Sequence, residues 1–305
     1  MSDLPVALTC GDPAGVGPEI IARWAEENPS LAVGCVAIGP QSWLAGLRIP
    51  SIAVGDEDYQ AVPGKPDPEG ARIAWKAMEV AAEGCKDGRF SAVATAPISK
   101  KQLVDVGYPF PGQTEFFAEQ WQGKPTMGFV GERMRVVLAS WHNPLVEIPA
   151  LLKAHPEWIE QAVEQSFRLS RKLGIESPRI AVCGLNPHAG EAGLLGSEEI
   201  DWIDPLLDRL RADYPGLSRC LPSDTVFHRH LKGDFDAVVA LYHDQGLGPL
   251  KTVEFDTAVN VSLGLSHVRT SPDHGTAFDI AGTGVAHTSS WAAAVRLARQ
   301  LSLPD

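Results

Sequence analysis

Three histidines of this chain follow apolar segments, at positions where they could do chemistry. His142 stands in ASWHNPL, His188 in LNPHAGE and His243 in LYHDQGL. Neutral imidazoles are good ligands for zinc and similar divalent ions, and three of them leave one coordination position for water or substrate. A surface or core role stays open for each histidine, because spacing does not join residues this far apart. Their shared position after apolar runs favours a common site.

The segment ALYHDQGLGPLK, residues 240–251, carries further reactive groups. Asp244 could act as an acid or base or orient a ligand, and Lys251 could meet an anionic group of a substrate. A strand end followed by a turn would explain the remaining residues of the segment. Those residues are Gly246, Gly248 and Pro249.

Short apolar runs alternate with amphipathic stretches along the chain, which predicts an α/β fold. The predicted strands are PVALTC, AVGCVAIG, FSAVATA, TMGFV, MRVVLAS, RIAVCGL and FDAVVALY. The predicted helices are PEIIARWAEE, EGARIAWKAMEVAAEGCKDG and PEWIEQAVEQSFRLSRKLG, whose apolar residues recur every three or four positions. Ligands of open α/β sheets gather outside the carboxyl ends of strands, so the loops after these strands are where a site is expected.

A glycine-rich loop, LTCGDPAGVGPEI, follows the first predicted strand. Its glycines precede Pro18, which is typical of the first position of a helix. The spacing matches neither the dinucleotide fingerprint nor the P-loop, and no lysine follows as phosphate binding of that type requires. The pattern favours a tight strand-to-helix turn over a ligand cradle.

Composition limits the class of protein and its partners. The 305 residues suffice for roughly two domains. Lys and Arg number 26 against 38 Asp and Glu, a net charge of -12, which disfavours binding to nucleic acid or to an anionic membrane. An anionic substrate would therefore need a local basic pocket. No apolar run approaches the roughly 18 residues of a membrane span, and no basic segment precedes the first apolar stretch, so a cytoplasmic location is expected.

The five cysteines are scattered and show no close pairing, which predicts reduced thiols in the core. They are Cys10, Cys35, Cys85, Cys183 and Cys220. No long flexible linker is present, and the turn YPFPGQ at residues 108–113 is the expected place for a division into two lobes.

Several motifs together resemble the 4-hydroxythreonine-4-phosphate dehydrogenase family of pyridoxal phosphate biosynthesis. These motifs are GDPAGVGPE, GQTEFF, LNPHAGE, LYHDQGL, VNVSLGLSHVRTS and DHGTAFDIAGTG. The resemblance implies a homodimer of two-lobed subunits, with a fold like that of isocitrate and isopropylmalate dehydrogenases and an active site in the cleft at the dimer interface. Residues 1–112 with 258–305 would form the cofactor lobe, and residues 113–257 the lobe for metal, substrate and dimerisation.

The resemblance also implies the residues of the site. The family's metal ligands fall on His142, His188 and His243, drawn from both subunits, with zinc as the expected ion and magnesium or cobalt as alternatives. The family's substrate contacts fall on Gln113, Thr114, Lys251, Asn260 and Arg269. The implied reaction is oxidation of a secondary hydroxyl by NAD, followed by decarboxylation of the β-keto acid. The group that removes the hydroxyl proton stays open among Asp244, Asp224 and Lys251.

The motif DHGTAFDIAGTG is also similar to the adenosine loop of isopropylmalate dehydrogenases. By this resemblance His274, Gly275 and Asp279 would bind the cofactor. A carboxylate at position 279 would repel a 2′-phosphate, which favours NAD over NADP. The alternative for Asp279 is a cap on a helix that begins near Ile280.

One residue departs from the family pattern. The family commonly has histidine where this chain has Gln113, and glutamine cannot become cationic, so one positive contact to a phosphate is absent. A related dehydrogenase of 4-phosphoerythronate or 4-phosphothreonate is therefore an alternative. Two other classes are alternatives: an enzyme of the phosphate acyltransferase type, since those share the general fold, and a non-catalytic metal-binding protein.

Overall fold

The computed structural model describes residues 4–303. Its strands are β1 (Val6–Thr9), β2 (Cys35–Gly39), β3 (Ser51–Ala53), β4 (Ala92–Thr95), β5 (Gly123–Val130), β6 (Arg135–Leu138), β7 (Ile180–Cys183), β8 (Leu217–Leu221), β9 (Ala237–Ala240), β10 (Val259–Leu265) and β11 (Val268–Pro272).

The α-helices complete the alternating pattern that the sequence predicted, and the α/β class is confirmed. They are α1 (Gly17–Glu27), α2 (Pro29–Ala32), α3 (Gln41–Leu44), α4 (Pro68–Lys86), α5 (Lys100–Asp105), α6 (Gln113–Trp121), α7 (Ile148–Ala154), α8 (Glu157–Lys172), α9 (Asp204–Leu210), α10 (Ser223–Leu231), α11 (His243–Glu254) and α12 (Ser289–Leu301). Shorter helical turns cover Leu145–Glu147, Pro187–Gly193 and Glu199–Ile203.

The chain divides into two compact units. The first runs up to Pro125 and resumes at Val259, and the second comprises Thr126–Ala258. The predicted boundary between residues 112 and 113 differs from this division, because α6 belongs to the first unit. Phe116 of α6 is buried in the core of that unit, so the helix is held there by packing. The division of cofactor and substrate roles between the lobes stays a prediction.

The first unit is built on a mostly parallel sheet with the strand order β3-β2-β1-β4-β11-β10. Only β10 runs antiparallel to its neighbour, β11. Side chains of β1 alternate between two cores: Leu8 packs with Trp24 and Trp291, whereas Ala7 packs with Met78 on the other face. Helices therefore cover both faces, which is why the predicted strands of this unit are almost entirely apolar.

The second unit is built on a sheet with the order β5-β6-β9-β7-β8. Of strand β5, only the part that begins at Thr126 belongs to this unit. Strands β6, β9, β7 and β8 are parallel, and β5 is antiparallel to β6. Because β6, β9 and β7 are parallel neighbours, the loops that follow them leave from the same edge of the sheet. Those loops carry the three histidines.

The segment after β9 differs from the predicted turn, because it forms helix α11. Gly246 is buried on this helix, and a Cβ placed there would lie 2.7 Å from Val136 Cγ1 and 2.9 Å from Ala240 Cβ. A glycine at this position lets α11 approach the sheet closely. Gly246 is thus a packing residue, whereas a Cβ on Gly248 would meet open space.

The cysteines are free and buried, as predicted. Burial raises the pKa of the Cys85 and Cys183 thiols to about 12, so both are protonated at neutral pH and neither is a nucleophile. Within residues 4–303, no helix combines the length and the apolar character needed to cross a membrane.

His230 is a buried structural histidine of the second unit. Its Nε2 accepts a hydrogen bond from the Arg135 backbone N–H at 3.0 Å, so its Nδ1 carries the proton and donates to Phe235 O at 2.8 Å. This neutral tautomer satisfies both partners. Burial has the largest effect and lowers the pKa of His230. The hydrogen bond to Phe235 O acts in the opposite direction, the nearby Arg135 charge lowers the pKa further, and Asp236 and Glu254 raise it by less.

We expect this histidine to make the protein less stable in mild acid. Below about pH 6.5 an unfolded histidine takes up a proton while His230 in the folded protein stays neutral, so the free energy of unfolding falls as the pH is lowered. In His230→Gln the free energy of unfolding should fall less between pH 7.5 and pH 5. Its slope against pH should be smaller by an amount equivalent to the uptake of at most one proton on unfolding. Urea unfolding at several pH values measures this, with exposed His155→Gln as the control. An identical pH dependence of wild type and His230→Gln would contradict the expectation.

Candidate functional site

Two of the three predicted metal ligands lie together. His142 follows β6 and His243 begins α11, and their ring centroids are 6.0 Å apart. Both line a cavity of about 440 Å³ with Trp141, Tyr242 and Asp244 among its walls. Two imidazoles on one zinc ion, with Zn–N bonds of ~2.0–2.1 Å, have centroids roughly 5–6 Å apart, so the pair fits a shared ion.

Asp244 orients one of these imidazoles. His243 Nδ1 and Asp244 Oδ1 are 2.7 Å apart. A carboxylate accepts here, so His243 Nδ1 carries the proton and its Nε2 lone pair is left for a metal ion. Such outer partners of metal-binding histidines fix the tautomer and raise the basicity of the ligand.

His188 is not among the residues that line this cavity. Within residues 4–303, no three His, Cys, Asp or Glu side chains are close enough to hold one metal ion. A three-histidine site within a single chain is therefore not formed here. The form that the sequence resemblance implies, with ligands from both subunits, stays a prediction.

The loop of His188 has an unusual backbone. Residues 188–192 all have positive φ, from 43° to 82°, and only Gly190 among them is a glycine. Left-handed conformation costs roughly 1–2 kcal/mol for each residue with a side chain. Strain of this kind persists only where the surroundings enforce it, and it is concentrated at functional sites. The backbone of this loop therefore points to a function for His188.

Partly buried hydrogen bonds hold Asn186, which precedes this left-handed turn. Glu199 is only 1% exposed, and its carboxylate accepts from Asn186 N at 2.7 Å and from Asn186 Nδ2 at 2.9 Å. Asn186 Nδ2 also donates to Glu198 Oε2 at 2.7 Å, which lowers the pKa of the Glu198 carboxyl. Glu198 and Glu199, which follow the loop in sequence, thus hold its first residue.

The histidine-bearing loops also expose apolar side chains. Val146 is 86% exposed in the loop after His142, and Leu194 is 82% exposed in the loop after His188. Other exposed apolar residues of these loops are Leu145, Leu195 and Ile200. Exposed apolar patches are typical of surfaces that bind another molecule.

Asp244, Gly248 and Lys251 occupy one face of α11, because they are separated by four and three residues. Lys251 lies about 10 Å along the helix from Asp244, at 1.5 Å per residue. A Cβ on Gly248, between them, would meet open space. Asp224 is exposed in the first turn of α10. Asp244 lines the histidine cavity, whereas Lys251 and Asp224 are not among its lining residues.

The first unit contains a buried cation. Arg269 of β11 is 4% exposed, and its Nε and Nη2 donate to Thr95 Oγ1 at 3.1 and 2.9 Å. Its Nη1 lies 3.4 Å from both Asn260 Oδ1 and Ser262 Oγ. Burial lowers the pKa of Arg269 to about 10, against the opposite effects of Tyr108 and Glu115, so the guanidinium stays charged at neutral pH.

The partners of Arg269 are hydroxyls and an amide, and within the described residues no carboxylate forms an ion pair with it. A buried charge without a direct ion-pair partner is costly, and Glu115 acts on Arg269 without a hydrogen bond to it. Such a site fits an anionic ligand, which would supply the missing charge. Thr95 and Ser262 were missed by the sequence reasoning; the polar end of the predicted strand FSAVATA was the available signal for Thr95.

Helix α6 brings two further predicted contacts to this cluster. Thr114 Oγ1 lies 3.4 Å from Ser262 Oγ, and Gln113 Nε2 donates to Ala96 O at 3.2 Å. Gln113 Oε1 is buried without a partner in the described structure. The same holds for Thr9 Oγ1 on β1, the strand that pairs with β4, which carries Thr95. The structure therefore brings Gln113, Thr114, Asn260 and Arg269 into one cluster. Their role as substrate contacts stays a prediction.

The predicted cofactor loop is anchored on the glycine-rich loop. Val16 N donates to Thr276 O at 2.9 Å, and Gly282 N donates to Glu19 Oε2 at 2.6 Å. Gly15 must be a glycine here, because a Cβ would lie 2.9 Å from Thr276 O. The glycine-rich loop is thus a tight turn that supports its neighbour, in agreement with the favoured interpretation of its sequence.

The three predicted cofactor residues have groups that a ligand could contact. His274 Nδ1 lies 2.9 Å from Gly275 O, while His274 Nε2 is buried without a partner. A Cβ on Gly275 would meet open space, and Asp279 is exposed. The alternative for Asp279, a helix cap, is wrong because residues 278–282 form turns and α12 begins only at Ser289. An orphaned imidazole nitrogen next to an open glycine leaves room for a ligand, and the role of the three residues in binding the cofactor stays a prediction.

Comparison with known proteins identifies related chains. The family model described as "Pyridoxal phosphate biosynthetic protein PdxA" matches residues 31–298. A 4-hydroxythreonine-4-phosphate dehydrogenase from Maricaulis maris is 41% identical, covering 98% of this chain and 97% of the relative. One from Chromobacterium violaceum is 42% identical, over 97% and 96%. The crystal structure of the enzyme of that name from Klebsiella pneumoniae superimposes with a TM-score of 0.87 at 33% identity, covering 98% of this chain and 100% of the other.

Proposed function

Because the chain belongs to the PdxA family of pyridoxal phosphate biosynthetic proteins, we propose that it oxidises 4-phosphohydroxy-L-threonine with NAD and a divalent metal ion. The β-keto acid formed would lose carbon dioxide to give 3-amino-2-oxopropyl phosphate. The family resemblance predicted from the motifs is confirmed, and the chain is an oxidoreductase of pyridoxal phosphate biosynthesis. The acyltransferase and non-catalytic alternatives are thereby excluded.

The observation that carries the substrate assignment is the buried charge of Arg269. A phosphorylated substrate would complete its interactions, and Asn260, Gln113 and Thr114 would supply neutral hydrogen bonds around it. Lys251, in the second unit, is the other cation among the substrate contacts that the resemblance implies. An acidic protein needs such local positive charge to bind an anion.

His142 and His243 would hold the metal ion, with His188 as the third ligand. When bound, the ion and NAD would supply Lewis-acid stabilisation of charge on the substrate oxygen and acceptance of a hydride. Asp244 holds the His243 ring with its Nε2 lone pair directed away from the carboxylate. The hydroxyl proton would pass to Asp244, Asp224 or Lys251, of which Asp244 lines the histidine cavity.

We further propose a homodimer whose site uses ligands from both subunits. The exposed apolar residues around His142 and His188 support this, because a second copy would cover them and bring further side chains to the histidines. The absence of a complete three-residue metal site within residues 4–303 is consistent with a shared one. Free, buried thiols support a reducing compartment such as the cytoplasm.

A substrate panel tests the proposed function. We expect NAD reduction with 4-phosphohydroxy-L-threonine to exceed that with 4-phosphoerythronate and 4-phosphothreonate, and to depend on added zinc, cobalt or magnesium. Gln113→His should lower KM for the preferred substrate below about pH 6.5, where an unperturbed imidazole becomes cationic and can bind a phosphate more strongly. Initial rates from pH 6 to pH 9 measure both effects.

Gln120→His, on the same helix, is the matched control. A wild-type preference for 4-phosphoerythronate or 4-phosphothreonate, weakened by Gln113→His, would identify a related dehydrogenase fitted to another acid. NAD reduction with none of the three substrates would refute the proposed function.

A further inference from the structure

A chain of hydrogen bonds runs beneath the loops that carry the three histidines. Ser140 Oγ donates to Leu241 O at 2.6 Å, which joins the loops after β6 and β9. Leu241 N donates to Gln245 Oε1 at 2.7 Å. Gln245 Nε2 donates to Gly184 O at 2.7 Å and to Ser223 Oγ at 2.9 Å. These last bonds join the β9 loop to the β7 loop and to the start of α10.

Gln245 is the central residue of this chain of hydrogen bonds. Its side chain is 8% exposed and uses both ends of the amide, so it bridges elements that no backbone ladder connects at this point. Ser223 Oγ reinforces the contact by donating to Gly184 O at 3.0 Å. A satisfied buried amide of this kind fixes one arrangement of its partners.

The bond to Gly184 reaches the strained loop of His188. Gly184 packs against Ala189, since a Cβ on Gly184 would lie 2.7 Å from Ala189 Cα. Ala189 belongs to the left-handed turn that begins at His188. The hydrogen bond from Gln245 to Gly184 therefore also fixes the position of Ala189 in that turn.

We propose that Gln245 is a positioning residue for the candidate active site. It fixes the loop of His188 and the first turn of α10, which carries Asp224, relative to the pair formed by His142 and His243. Gln245 itself does not line the histidine cavity. This inference rests on the proposed function for the catalytic meaning of the loops, and on the hydrogen bonds alone for their placement.

A merely structural glutamine would affect stability without affecting the histidine loops. Gln165 provides that comparison, because it is 7% exposed on α8 of the same unit, whose sheet α8 packs against. The matched variants are Gln245→Met and Gln165→Met, which keep the length of the side chain and remove its amide group. Three quantities distinguish them: Co²⁺ affinity from visible absorption, hydrogen exchange of residues 184–197, and the thermal unfolding temperature.

We expect Gln245→Met to weaken Co²⁺ binding roughly 10- to 100-fold, as loss of a residue that orients metal ligands does. Exchange of residues 184–197 should become faster in the same variant. Gln165→Met should change neither, although both variants lose thermal stability. Wild-type Co²⁺ affinity and wild-type exchange in folded Gln245→Met would overturn the proposal, as would equal changes in the two variants.

Ser223→Ala is the second test if Gln245→Met does not fold. It keeps the bonds from Gln245 to Leu241 and Gly184, so a smaller increase in exchange of residues 184–197 is expected, and no increase would overturn the proposal. Failure of the proposed function gives a different result. Wild type would then neither bind Co²⁺ nor reduce NAD, while the exchange comparison would still decide whether Gln245 holds the loop.

Discussion

Arg269→Met is expected to lower kcat/KM for the phosphorylated substrate by roughly 10²- to 10³-fold while leaving the ligand-free protein no less stable. In the ligand-free protein the guanidinium is buried among hydroxyls and an amide, and burial lowers its pKa to about 10. Replacing a buried charge by an apolar side chain of similar length is often neutral or stabilising. The same replacement removes the charge that would bind the phosphate.

Steady-state kinetics and thermal unfolding with and without inorganic phosphate measure this pair of effects. Phosphate should raise the unfolding temperature of wild type and not that of Arg269→Met, because a ligand stabilises only the protein that binds it. Arg72→Met is the control, since Arg72 is exposed on α4 and pairs with Glu69. Equal stabilisation of wild type and Arg269→Met by phosphate would show that Arg269 is not the anion contact.

His243→Ala is expected to abolish tight binding of divalent metal ions and to lower kcat by at least about 10³-fold. Metal stabilisation of developing charge contributes several kcal/mol, and each 1.36 kcal/mol corresponds to a factor of ten in rate. Asp244→Asn should have a smaller effect, roughly 10- to 100-fold in metal affinity, because it alters the partner of the ligand and not the ligand. Co²⁺ titration and initial rates measure both.

His155→Ala is the matched control for this prediction. His155 lies in the same unit, is exposed, and stacks on Trp158 with ring centroids 4.9 Å apart. It should bind Co²⁺ and turn over as wild type does. A His243→Ala protein with wild-type metal affinity would remove His243 from the metal site, whatever its rate.

The sequence by itself determined the elements and the places where chemistry could occur. Apolar runs such as MRVVLAS and FDAVVALY became β6 and β9, because a strand buried on both faces has few polar residues. The histidines at the ends of these runs were therefore recognisable as loop residues at one edge of a sheet. The family followed from the order and the residue types of its motifs, which can be recognised without knowing any distance between residues in the folded protein.

Other features depended on contacts between segments that are distant in sequence. Glycines and a proline after β9 predicted a turn, but the space beside Val136 and Ala240 makes Gly246 a packing residue of helix α11. Pattern alone carries no information on what a glycine faces. Asp279 lost its predicted alternative as a helix cap for a similar reason, since the helix that it would cap does not form.

The tertiary structure alone decided the environment of each functional group. Sequence indicated Arg269 as a substrate contact, but only packing shows that its hydrogen-bond partners are Thr95, Asn260 and Ser262. No carboxylate is among these partners, and this leaves the charge available to a ligand. Likewise, the strand order β6-β9-β7 places Gln245 where its amide can reach Gly184, 61 residues earlier in the chain. The physical reason is the same in both cases: burial and hydrogen bonding depend on which segments meet, and local sequence does not encode that.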